Sequence, residues 1–108
     1  MAWLRPIPAR LLPDSCLVRA PLADGAFGGP RAISRVRFER AQAVADDAHR
    51  SADARSGMLY VDAITSGGAF EIEAGSRVEI RGRSYLAARV ARFDGFNGRV
   101  HHWGVALR

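Results

Sequence analysis

The chain has 108 residues, 48% of them hydrophobic and 25% charged. That length allows one domain with one modest core, and that balance excludes disorder throughout. No apolar run approaches the roughly 18 residues of a membrane-spanning helix, so no membrane partner is expected. The formal net charge is +5, and all 16 basic residues are arginine. Arginine suits bidentate contacts with carboxylate or phosphate. Charge alone does not choose between a protein interface and nucleic acid.

Residues 1–13 are punctuated by Pro6, Pro8 and Pro13. Each proline fixes φ and removes a backbone donor, so the segment reads as an extended arm. The arm carries Trp3, Leu4, Ile7, Leu11 and Leu12, together with Arg10. Such an apolar arm lies either across its own domain or on a neighbour. The start lacks a basic stretch followed by an apolar core, so no signal peptide is expected and synthesis is expected in the cytoplasm.

Asp14 to Ala20 reads as a first strand, ended by Pro21. The lone Cys16 excludes an internal disulfide and reads as a small buried hydrophobe. The glycine-rich stretch Ala23 to Pro30 lacks the Gly-Lys-Ser/Thr of a phosphate loop and reads as a plain turn. From Arg31 a second strand begins. Val36 and Phe38 alternate with Arg35, Arg37 and Glu39, the period of a half-buried strand. Residues 46–57 are polar, small and charged, with no large apolar side chain to bury, and read as a long mobile inter-strand loop.

Met58 to Ile64 is the next strand, with Leu59, Val61 and Ala63 on one face. The remaining chain alternates short strands with turns. Phe70 to Glu73 and Arg77 to Arg81 read as strands, and Gly82-Arg83 as a turn. Ser84 to Phe93 and Val100 to Leu107 are joined by a loop carrying Asp94-Gly95 and Asn97-Gly98. In the last strand, Trp103, Val105 and Leu107 share a face with His101. The expected fold is mainly β: one domain, a small closed or partly open β-barrel with an extended N-terminal arm and a long inter-strand loop.

Catalytic and metal constellations are not expected. His101 and His102 are neighbours on a strand, so their Cβ atoms point to opposite faces and do not readily share a metal. Glu71 and Glu73 share a face and read as a charged strand edge. No serine sits in a Gly-x-Ser-x-Gly motif. Arg89, Arg92, Phe93, Phe96 and Arg99 form a loose basic and aromatic grouping, which reads first as a solvated strand face. An enzyme is therefore not expected, and no cofactor is implied.

Two stretches carry a family resemblance. Pro6-Ile7-Pro8-Ala9-Arg10-Leu11-Leu12-Pro13-Asp14-Ser15 resembles the opening "I-P-x-x-L-L-x-x-S" of minor capsid or head–tail connector proteins of long-tailed bacteriophages. Met58 to Asp62, Ala74 to Val78, Arg81 to Tyr85 and His101 to Leu107 resemble its closing half, with "G-D-x-I-x-x-x-G-x-x-Y-x-V" and then "H-H-x-x-V-x-L". Ser76 stands here where an acidic residue is usual, and Gly104 where bulkier residues are common. The resemblance implies a head-closure, or stopper, protein of a phage or of a phage-like gene transfer agent. Such a protein is a small barrel in a homo-oligomeric ring at the neck of the virion. The portal or adaptor lies above it and the tail terminator or tail tube below. It also implies a loop reaching packaged double-stranded DNA, here with His49, Arg50 and Arg55. The neck or subunit interface would then involve Trp3, Leu4, Ile7, Arg10, Leu11 and Leu12. The alternatives are a neck adaptor, usually more helical, and a small arginine-rich nucleic-acid-binding barrel.

Overall fold

A computed structural model describes residues 5–40 and 56–108. Six strands form a closed antiparallel barrel: β1 (Asp14–Arg19), β2 (Arg31–Arg40), β3 (Gly57–Asp62), β4 (Arg77–Ile80), β5 (Arg83–Asp94) and β6 (Val100–Leu107). The order around the wall is β1-β2-β3-β6-β5-β4. Four junctions join chain neighbours. The β3–β6 and β1–β4 seams are long-range and close the wall, which leaves few free edges.

Period-2 alternation sets which residues enter the core. Val78 and Ile80 of β4, Leu59 and Val61 of β3, and Trp103, Val105 and Leu107 of β6 are all buried. Each such aliphatic side chain contributes about 1.5–3 kcal/mol on burial. In β2 the alternation slips. Ile33 and Val36 are both fully buried although three residues apart. The cause is a bulge: Asp14 pairs with Val36 and Ser15 with Ser34, leaving Arg35 as the extra residue, at φ 56°.

The structure departs from sequence expectation in four places. β3 stops at Asp62, two residues before Ile64, because Asp62 opens a turn. β3 also begins at Gly57, which pairs with Arg40 and Leu107, so the last residue assigned to the polar loop belongs to a strand. The β4–β5 connection is Arg81-Gly82, both at positive φ, and not Gly82-Arg83. Positive φ at both central positions defines the two-residue turn whose twist matches the flanking strands. Phe70–Glu73 alternates in burial like a strand but joins no ladder. Gly67 bonds to Ser34 of β2, and Gly75 bonds to Ala87 of β5. Those strands are opposite in the barrel order, so the segment spans the barrel and delivers Ile72 to the core.

Candidate functional site

The structure brings three separated pieces of sequence together at one end of β3 and β6. Their hub is Asp62, a fully buried carboxylate at the end of β3. Its Oδ2 accepts from the backbone N–H groups of Ile64 (2.9 Å) and Thr65 (2.8 Å). This is an Asx-type turn, in which an aspartate bonds the backbone just beyond it. Its Oδ1 accepts from the Ile7 N–H at 2.9 Å, which ties the arm to the barrel. The Asp62 N–H donates to Ser66 Oγ, and Ser66 Oγ donates in turn to the Arg35 carbonyl at 2.5 Å. One junction thus holds the arm, the turn after β3 and the β2 bulge. Burial opposes charge on Asp62. The N–H donors of Ile7, Thr65 and Ile64, with His101 nearby, more than offset it and hold the carboxyl below its usual range.

His101 and His102 complete the junction. Opposite Cβ directions do not keep their rings apart: they meet edge to face with Nδ1 atoms 2.9 Å from each other. His101 Nε2 lies 2.6 Å from the Arg5 carbonyl oxygen. A carbonyl only accepts, so Nε2 carries a proton. In the neutral pair, His102 Nδ1–H then donates to His101 Nδ1. His102 also stacks on Phe93 at 4.5 Å. Burial, then His101, pushes the His102 imidazole down, against the pull of Asp62. Among the described residues, no group of three or more His, Cys, Asp or Glu side chains is arranged to hold a metal ion.

The sequence-expected site residues fall in different places. Trp3, Leu4, His49, Arg50 and Arg55 lie outside the described residues. Ile7 is half-buried at the junction. Leu12 is 2% exposed, so its side chain packs within its own chain, whereas Arg10 and Leu11 face outward. Cys16 is buried in the core, and burial pushes its thiol up to about 12, which leaves it inert as a nucleophile. Glu71 is not part of a carboxylate pair but accepts from Trp103 Nε1 at 3.0 Å. Sequence reading missed Asp62. The available signal was Asp62 followed by Thr65-Ser66-Gly67-Gly68, an Asx turn leaving a strand.

Two further features mark the surface near this junction. Ile64 (77% exposed) and Phe96 (75%) are the most exposed large hydrophobic side chains among the described residues. They line one cleft with Pro6 and His101. Elsewhere five arginines, Arg19, Arg37, Arg77, Arg81 and Arg92, are engaged with Glu79, Glu39 (Arg37), Asp14 (Arg81) or Asp94 (Arg92). No protein-family model, curated protein or solved structure matches the chain.

Proposed function

We propose that this chain is a structural, non-enzymatic neck protein of a long-tailed phage or phage-like gene transfer agent. Its role is that of a head-closure (stopper) ring subunit that joins portal or adaptor to tail and helps retain packaged DNA. One observation carries the reading. Three of the five segments that resemble the connector family are far apart in sequence, yet they meet at a single junction. Ile7 of the opening motif bonds Asp62 of Met58–Asp62, and the neighbouring Arg5 carbonyl meets His101 of the closing motif. Within those three segments, Ile7, Asp62 and His101 help seat the arm on the barrel.

The closed barrel supplies a rigid unit for ring packing. Residues 41–56 link Arg40 to Gly57, which pair with each other at one rim of the wall. In the family it resembles, this insertion would be the loop that reaches DNA, and here its sequence contains His49, Arg50 and Arg55. The nucleic-acid-binding alternative draws on the +5 charge. It is weakened by the five arginines already engaged with carboxylates.

The test is genetic and structural. Particles made without this protein should lose packaged DNA and fail to join tails. Particles carrying a deletion of residues 46–56 should assemble but leak DNA. Full DNA retention and normal tail joining in the absence of the protein would end the proposal.

A further inference from the structure

We propose that His101 and His102 form a proton-operated latch on the N-terminal arm. The pair holds the arm against the barrel while it carries at most one positive charge, and lets go when both rings are charged. The latch belongs to a single chain and requires no ring, so it goes beyond the neck reading and is tested separately from it.

The first observation is how little holds this end of the arm. Every residue from Arg5 to Leu11 is exposed except Ile7, which is half-buried, and burial begins only at Leu12. Pro6 and Pro8 have no N–H to donate. Among the described residues, two hydrogen bonds join residues 5–10 to the barrel. The Ile7 N–H donates to Asp62 Oδ1 at 2.9 Å, and His101 Nε2 donates to the Arg5 carbonyl at 2.6 Å.

The second observation is a proton count. The Arg5 carbonyl only accepts, so His101 Nε2 carries a hydrogen. The two Nδ1 atoms are 2.9 Å apart, which requires one hydrogen between them. The neutral pair meets both conditions when His102 Nδ1–H donates. One added proton fits at His102 Nε2, because no contact within the pair changes. A second has only His101 Nδ1 left to occupy. That sets an N–H on each side of a 2.9 Å contact, between two charged rings with centroids 5.1 Å apart. The seated geometry therefore excludes the doubly charged pair.

The third observation identifies the ring that gives way. His102 is stacked on Phe93 at 4.5 Å. His101 instead lines a surface cleft with Pro6, Ile64 and Phe96, and its other nitrogen holds the arm. Relief of the repulsion thus moves His101 and breaks its bond to Arg5. Of the two bonds, only Ile7 to Asp62 then remains, and residues 5–7 open more often.

The charged surroundings supply one counter-charge. From β3, Asp62 lies opposite His102 in the ladder. From β5, Phe93 lies opposite His102, and its neighbours Arg92 and Asp94 pair with each other at 2.7 Å. Glu71 is engaged by Trp103 Nε1. Arg99 shares the cleft with His101, and Arg5 is on the arm itself, so both disfavour a second positive ring. The seated pair thus holds at most one proton beyond neutrality, and the released pair holds two. Acid therefore drives release, beginning near the ordinary imidazole value of about 6.5. Burial and His101 push the His102 imidazole down, which acts in the same direction. With about one proton taken up per release, opening should rise about tenfold for each pH unit between about 6.5 and 5.

The experiment is residue-resolved amide exchange on the full chain, expressed as protection relative to an unstructured amide at each pH. Ile7 reports the arm. Ile64 and Thr65 bond the other oxygen of the same carboxylate, and the Ala63 N–H bonds the His101 carbonyl, so these three report the barrel. Between about pH 6.5 and 5, protection at Ile7 should fall about tenfold per pH unit while the other three hold. His101→Gln keeps a donor for the Arg5 carbonyl but takes no proton. His102→Phe keeps a ring on Phe93 but removes the second charge. Both should hold Ile7 protection within about threefold over that range. Unchanged Ile7 protection in the wild type would overturn the latch. Joint loss at Ile7, Ile64 and Thr65 would assign the response to Asp62 or to unfolding, and would also overturn it. An undiminished acid response in either folded variant would remove the histidines as its cause. If both variants unfold, nitrogen NMR of the wild-type imidazoles decides. Ile7 protection should then be lost with the second protonation, and loss while both rings are neutral would overturn the latch.

Discussion

Replacing Asp62 by alanine should be the most damaging single change at the junction. The carboxylate is fully buried and accepts three backbone N–H groups, from Ile7, Ile64 and Thr65. Alanine leaves all three without an acceptor. At about 1 kcal/mol for each donor, the loss is roughly 3 kcal/mol. Ile64 is largely exposed, so its N–H regains water and the figure does not climb to the upper range for buried donors. Removing the carboxylate's own burial penalty acts in the same moderating direction. A domain of this size has about 5–15 kcal/mol of stability, so the variant folds but is weakened. With a urea slope of about 1–3 kcal/mol per molar, the midpoint should fall by about 1–3 M. Asp62→Asn separates the two ends of the hub. Its amide oxygen can replace Oδ2 and keep the Ile64 and Thr65 bonds, while its NH2 group then faces the Ile7 N–H. That variant should lose about 1 kcal/mol and raise amide exchange at Ile7 selectively. A loss below about 0.5 kcal/mol for Asp62→Ala would falsify the hub.

The junction also sets a pH dependence. The folded His102 imidazole titrates below its ordinary value, so between that lowered value and about 6.5 the unfolded chain binds the proton and the folded chain does not. Stability should therefore fall with acidification through that window, and His102→Gln should remove this limb from urea midpoints measured across pH. Asp62 acts lower. Its depressed folded value means its contribution is complete above about pH 4 and is lost as pH falls toward the folded value. Gly57→Ala should cost about 1–3 kcal/mol, since a Cβ there meets the Glu39 carbonyl oxygen and comes within 2.7 Å of the Phe38 ring. A midpoint equal to wild type would show that the β2–β3 rim yields freely. Ser76→Ala should change stability by less than about 1 kcal/mol, on the stabilising side, because the buried Ser76 hydroxyl has no hydrogen-bond partner. A clear destabilisation in the same assay would reveal a partner for that hydroxyl.

Much of the wall was legible because strand side chains alternate with period two. That signal marks Val36, Phe38, Leu59, Val61, Val78, Ile80, Trp103, Val105 and Leu107 as inward before any partner is known. The loop between β5 and β6 was legible from its Asp-Gly and Asn-Gly pairs. Local chemistry was less informative where a neighbour intervened. Phe70–Glu73 has strand periodicity, yet no ladder reaches it because the segment spans from β2 to β5. The turn after β4 falls one residue earlier than expected because Arg81 adopts positive φ. Its guanidinium is held there by both carboxylate oxygens of Asp14, 67 residues away in sequence.

By itself, the sequence determined that the chain is mainly β, which residues of its regularly alternating strands turn inward, and that Cys16 belongs inside. These follow from composition and from a two-residue period, both properties of the chain near each position. Tertiary structure alone decided closure through β1–β4 and β3–β6, the slip at Arg35, the burial of Asp62 and the meeting of His101 with His102. Among the described residues, it also left β5 beyond Ala87 with a neighbouring strand on one side alone. Each of these depends on contacts between residues distant in sequence, whose register is set by how the whole wall closes and is not written at any one position.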